Sequence, residues 1–247
     1  MSLARWQGAV ALVTGASSGI GRAIAERLAA DGLRVAALAR RRDRLDELAE
    51  AYPGQILPLV ADLRQEDQIL AAFAEVRQRW GGVEVLVNNA GLGRKSPLAT
   101  GNTADWREML EVNVLALLIA TREAIADMDR AGRGHVIHVS SMSAHRVPAG
   151  SGVYSATKYA VRSLTEGLRL ELRERQSPIR VSAISPGFVE TEFAGVYNRD
   201  PAAAAETYGR FKVLDSSDIA DALVYLLGAP PHVQVHDLLL RPTDQPS

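Results

Sequence analysis

Cysteine is absent from this 247-residue chain, which removes disulfides, thiolate catalysis and cysteine-ligated zinc or iron from consideration. Excess charge of either sign is absent too. With 28 Lys and Arg against 29 Asp and Glu, the formal net charge is -1, so no global field draws the chain to nucleic acid or an anionic membrane; any anion must be captured locally. No stretch approaches the roughly 20 apolar residues that cross a bilayer, and the short polar stretch Met1 to Gly8 carries no secretory signal. These absences predict a cytoplasmic protein with neither a nucleic-acid nor a membrane partner. Among five histidines only His232 and His236 are spaced i, i+4. They flank Val233 and Val235 in an alternation that reads as strand, so no metal site is expected.

What is present is the composition of a soluble globular protein, 47% hydrophobic and 23% charged. Short β-like apolar runs occur at Ala9 to Thr14, Arg34 to Ala39, Ile56 to Ala61, Val83 to Asn88, Gly134 to Ser140 and Arg180 to Ser185. Helical periodicity fills the intervals, with the longest segments at Trp106 to Ala131 and Tyr154 to Arg175. This alternation predicts an α/β fold with a doubly wound parallel sheet, because only crossover helices join parallel strands and bury both faces. No Pro/Gly-rich linker and no repeat divides the chain, so residues 1–247 are read as one domain. The stretch 187–214 interrupts the alternation with an alanine run after Pro201, and such a segment beside parallel strand ends is a natural lid over a cleft.

The first predicted strand ends in Thr14-Gly15-Ala16-Ser17-Ser18-Gly19-Ile20-Gly21, directly before a helix. Glycines let the backbone approach a pyrophosphate, and the helix start supplies free N–H groups. The second strand ends at Ala39 and is followed by Arg40, Arg41 and Arg42. A carboxylate there would accept from ribose hydroxyls, whereas cations, with a hydroxyl from Ser17, suit a 2′-phosphate. The expected cofactor is therefore NADP(H). Farther on, Tyr154 and Lys158 stand one helical turn apart, with Ser141 thirteen residues before the tyrosine. A phenol of ordinary pKa about 10 becomes a usable acid or base at neutral pH if a neighbouring cation lowers that value.

Taken in order, Thr14 to Gly21, Asn88-Asn89-Ala90-Gly91, Asn113, Ser141, Tyr154-x-x-x-Lys158 and Pro186-Gly187 resemble the motif set of the short-chain dehydrogenase/reductase family. The resemblance runs from about Gly8 to Thr191. It implies a Rossmann-type fold with a dinucleotide-binding half at about 8–100 and a catalytic and substrate half at about 101–247. It implies that Tyr154 exchanges a proton with the substrate oxygen, that Lys158 lowers the tyrosine pKa and binds the nicotinamide ribose, that Ser141 donates to the substrate oxygen, and that Asn113 holds a water leading from Lys158 to solvent. For the cofactor it implies phosphate contacts from Gly15, Ser17, Ser18, Gly19, Ile20 and Gly21, ribose selection by Arg40 and Arg41, and adenine contacts from Asp62 and Leu63. Asn88, Asn89, Ala90 and Gly91 would pass beside the adenine ribose, and Pro186, Gly187, Val189 and Thr191 beside the nicotinamide.

The ending Val235 to Gln245 is similar to the branch containing clavulanate dehydrogenase and the 3-hydroxy acid or serine dehydrogenases. That similarity favours a small polar or hydroxy-acid-type carbonyl or alcohol, whose carboxylate could meet Arg94, Lys95, Arg146, Arg210 or Lys212. A 3-oxoacyl thioester reductase and a catalytically silent NADP(H)-binding sensor or scaffold are the alternative readings. The resemblance also implies a homo-oligomer, a tetramer or a dimer, joined through the helices after Asn113 and Tyr154.

Overall fold

The computed structural model describes residues 2–200 and 202–246. Seven parallel strands form one sheet in the order β3-β2-β1-β4-β5-β6-β7: β1 Val10–Thr14, β2 Arg34–Ala39, β3 Ile56–Val60, β4 Val85–Asn88, β5 His135–Val139, β6 Arg180–Pro186 and β7 Asp237–Leu240. The order reverses between β1 and β4, the crevice where ligands settle in doubly wound sheets. Strand β1 shows why both faces are covered. Its five residues are all buried, with Ala11 and Val13 packing among Ile24, Leu28 and Leu223 while Val10 and Leu12 pack among Phe73, Val76 and Met128. An uninterrupted apolar run is what a strand needs when helices lie on both sides.

One face carries α1 Gly19–Ala30 and α9 Ser216–Gly228, with α2 Arg42–Ala51 following β2; the other carries α3 Glu66–Trp80, the pair α4 Thr103–Leu110 and α5 Ala116–Ala131, and α6 Gly152–Glu174. Helix α4 begins a turn before the predicted Trp106 because the Asn102 side chain accepts from Ala104 N at 2.8 Å. Between α4 and α5 the helix widens into a single π-helical turn, Glu111–Leu115, which contains Asn113. Such turns re-aim side chains, and they concentrate at functional sites. Two short helices, α7 Phe193–Asn198 and α8 Ala202–Tyr208, lie in the irregular stretch after β6, whose ends are tied by a bridge between Val189 and Leu214.

The strand expected around Val233 and Val235 is not one. The ladder begins at Asp237, because side chains of β6 take the preceding carbonyls: Arg180 donates to Ala229 O (3.1 Å) and Val233 O (3.0 Å), and Ser182 Oγ to Val235 O (2.6 Å). Among the described residues, no helix is long and apolar enough to cross a membrane.

Candidate active site

The turn after β1 is set by backbone proximity. Gly15 has φ +69°, and a Cβ on it would stand 2.9 Å from Ala90 Cα; a Cβ on Gly21 would stand 2.4 Å from Gly15 O. Only glycine fits both places. Thr14 ties the ends of β1 and β4 together, its hydroxyl accepting from Asn89 N and Ala90 N at 3.0 Å each, while Asn89 Nδ2 donates to Thr14 O at 2.8 Å. Ser18 precedes α1, so the first N–H groups of that helix open toward a cavity of about 720 Å³ lined by Gly15, Ser17, Ser18, Gly19, Ile20 and Gly21. Arg41 folds back over the turn, donating Nε to Ser17 Oγ (3.2 Å) and Nη2 to Ser18 Oγ (2.6 Å).

The same cavity reaches Ser141, Tyr154 and Lys158. Ser141 follows β5; its Oγ accepts from Ser143 N at 3.0 Å, which fixes the rotamer and leaves its proton to be donated. Tyr154 and Lys158 project from successive turns of α6. The Lys158 ammonium donates to Val139 O at 3.0 Å and stands 5.9 Å from the centroid of the Tyr154 ring. Burial lowers the lysine pKa to about 8. The tyrosine ring keeps some surface open to the cavity, but the depth of protein around it disfavours phenolate. Desolvation pushes its pKa up to about 12, the Ser141 hydroxyl pulling the other way. The expectation that Lys158 lowers the tyrosine pKa is not met in this arrangement: burial raises it, and the opposing pull comes from the Ser141 hydroxyl rather than from the ammonium.

Asn113 and Asn88 sit beneath the cavity, not in its wall. The Asn113 amide clamps the Leu92 peptide, accepting from Leu92 N (2.9 Å) and donating to Leu92 O (2.8 Å), and also reaches Thr157 Oγ1 (3.0 Å). Protein groups thus engage both ends of the amide for which the resemblance implied a water. Asn88, 4% exposed, donates to Thr121 Oγ1 at 3.0 Å and belongs to the packing between β4 and α5. Asp62 lines the cavity with Leu63, yet its carboxylate already accepts from Arg64 Nε (3.0 Å) and backbone N (3.0 Å), which holds its pKa down to about 2. Arg40, Arg41, Asn89, Ala90, Gly91, Pro186, Gly187, Val189 and Thr191 all line the cavity.

An aromatic wall that no motif pointed to stands against Tyr154. Phe193 and Tyr197, one turn apart on α7, lie 5.4 Å and 6.3 Å from the Tyr154 ring, and the Tyr197 hydroxyl pairs with Ser151 Oγ at 2.9 Å. Their i, i+4 spacing was a readable signal. Gln245, from the chain's end, gave none; it is 5% exposed, and its Oε1 accepts from Phe188 N at 2.9 Å beside the cavity. Of the cations considered for a substrate carboxylate, Arg94 is held by Glu108 (3.0 Å), Arg210 by Glu206 (2.8 Å) and Lys212 by Asp215 (2.8 Å). Arg146 lines the cavity with a guanidinium that donates to Pro246 O at 3.3 Å.

Residues 9–202 match the model of the short chain dehydrogenase family. The chain belongs to the short-chain dehydrogenase/reductase family. Dehydrogenase/reductase SDR family member 11 of Bos taurus is 49% identical over 251 residues, covering 98% of both chains. Farnesol dehydrogenase of Aedes aegypti is 42% identical over 250 residues, again covering 98% of each. Among solved structures, the closed form of serine dehydrogenase complexed with NADP+ superposes with a TM-score of 0.92 at 32% identity, covering 96% of each chain. The chain is accordingly a short-chain dehydrogenase/reductase oxidoreductase acting on CH–OH groups.

Proposed function

We propose that this short-chain dehydrogenase/reductase interconverts a carbonyl and a secondary alcohol with NADP(H), Tyr154 acting as the acid/base. The observation that carries the reading is one cavity lined by both the phosphate turn and the Ser141, Tyr154 and Lys158 side chains. The glycine turn and the N-terminus of α1 would hold the pyrophosphate, Asp62 and Leu63 the adenine, and Val189 and Thr191 the carboxamide end. Arg40 and Arg41, together with the NADP+ carried by the similar serine dehydrogenase, support a 2′-phosphate. The nicotinamide, when bound, supplies or takes up the hydride.

The protein groups handle the proton. Burial raises the Tyr154 pKa to about 12, so the phenol keeps its proton at neutral pH and is poised to give it to a carbonyl oxygen. Ser141 would donate to the same oxygen as negative charge develops there. Asn113 would act through its clamp on Leu92, holding the Gly91 backbone beside Lys158.

The wall of Phe193 and Tyr197 against Tyr154 supports a substrate with an apolar body around its carbonyl. A small hydroxy acid is the second reading, supported by Arg146, which lines the cavity and, like Arg40, has no carboxylate partner among the described residues. Exposed Leu110, Leu115 and Leu118 beside the π turn, with Tyr159 and Leu170 on α6, support a homo-oligomer joined through those helices. Tyr154→Phe tests the mechanism. Turnover should fall by about 10²- to 10⁴-fold while NADPH binding, followed by its fluorescence, is retained; unchanged turnover would refute the role of Tyr154. Rates across apolar ketones and 3-oxo acids decide the substrate class.

A further inference from the structure

Arg41, assigned above to the 2′-phosphate, already holds an anion of the chain's own. Glu192 immediately precedes α7, and its carboxylate accepts from Arg41 Nη1 at 3.0 Å and from Ser18 Oγ at 3.1 Å. Ser17 Oγ steadies the guanidinium from its far side, accepting from Nε and Nη2 at 3.2 and 3.1 Å. A guanidinium and a hydroxyl converging on one carboxylate form a donor set that suits a phosphate monoester equally well. Arg41 holds the Glu192 carboxyl below its ordinary range, so the group is an anion at neutral pH. Glu192 is also fixed in the chain between the nicotinamide stretch and the aromatic wall. A Cβ on Gly19 would stand 2.9 Å from Thr191 Cγ2, so the root of this segment rests on the phosphate turn itself.

We propose that Glu192 is a cofactor-selectivity residue: its carboxylate occupies the Arg41 and Ser18 cradle and competes with the 2′-phosphate of NADP(H) for the same donors. Loading NADP(H) exchanges Arg41 from Glu192 to the phosphate, whereas NAD(H) leaves the pair in place. The pair is 41% and 57% exposed at its two side chains, so water screens it and the competition is modest. This inference rests on the NADP(H) reading above.

The test is a binding comparison by dinucleotide fluorescence on the full chain with Glu192→Gln, a surface change that keeps shape and removes charge. NADPH should bind about two- to fivefold more tightly to the variant, the range an exposed ion pair allows, with NADH unchanged, and the gain should vanish when Arg41→Gln is already present. Equal NADPH/NADH ratios in the wild type and Glu192→Gln would overturn the competition while leaving the NADP(H) reading intact. Weaker NADPH binding in Glu192→Gln would overturn it differently, showing that Glu192 orients Arg41 for the phosphate. A wild type that binds NADH as tightly as NADPH would overturn the cofactor reading itself, and this inference with it.

Discussion

The turn Gly15 to Gly21 and the segment 187–214 line one cavity, yet they are built on opposite terms. In the turn, backbone meets backbone: a methyl on Gly21 would stand 2.4 Å from Gly15 O, and as close to the Asn89 amide that ties the turn to β4. Across the cavity, side chain meets side chain. A methyl on Gly93 would meet Tyr197 Cδ2 at 2.6 Å, Phe193 Cζ at 2.9 Å and Tyr154 Cδ2 at 3.2 Å, all of them ring edges that can move. The difference teaches that the phosphate side is fixed by close contacts of the backbone, while the substrate side is a packing of side chains that small changes can shift.

Lys158 lies between the two regions, and replacing it should have the largest effect. Lys158→Met relieves a buried charge whose pKa has fallen from 10.5 to about 8. At about 1.4 kcal/mol per tenfold change in proton affinity, that relief is roughly 3 kcal/mol, against about 1 kcal/mol for the lost hydrogen bond to Val139 O. The variant should be more stable than the wild type by roughly 2 kcal/mol near neutral pH in urea unfolding, and should have lost turnover. The pH dependence has a definite sign. Below pH 8 the folded wild type carries the full cost of the charged lysine; between 8 and 10.5 the unfolded chain binds more protons than the folded one, so wild-type stability gains on the variant and the gap closes. A gap that stays constant over that window would show that charge burial is not its cause.

The paired glycine substitutions come next. Gly21→Ala should destabilise by about 1 to 3 kcal/mol and weaken dinucleotide binding in calorimetry, since the turn must open to admit the methyl. Gly93→Ala should leave dinucleotide binding intact and change the substrate KM instead, by several-fold, because rings of the substrate wall yield. Matching effects of the two changes on cofactor affinity would erase the contrast. The smallest effect is expected for Tyr197→Phe. Losing the bond to Ser151 Oγ should cost about 0.5 to 1.5 kcal/mol, read as faster hydrogen exchange in α7 with β1 and α1 unaffected.

The sheet was legible because its strands are continuous apolar runs separated by helical periodicity, and the phosphate turn because its glycines are required by local geometry. The false strand at Val233 and Val235 had the right alternation. What the pattern lacked was Arg180, some fifty positions earlier, whose guanidinium claims the carbonyl that a ladder would use. Phe193 and Tyr197 carried a helical spacing that pointed to them. Gln245 carried nothing, since its place beside Phe188 comes from the path of the chain after β7.

By itself the sequence determined the parallel sheet, the turn that receives phosphate and the family to which Ser141, Tyr154 and Lys158 belong, because each depends on residues near one another in the chain or on ordered motifs. Only the tertiary structure decided the direction in which the Tyr154 pKa moves, the aromatic wall against it and the meeting of Ser18 with Glu192, 174 positions apart. Desolvation and long-range contact are properties of what packs around a group, and no local spacing records them.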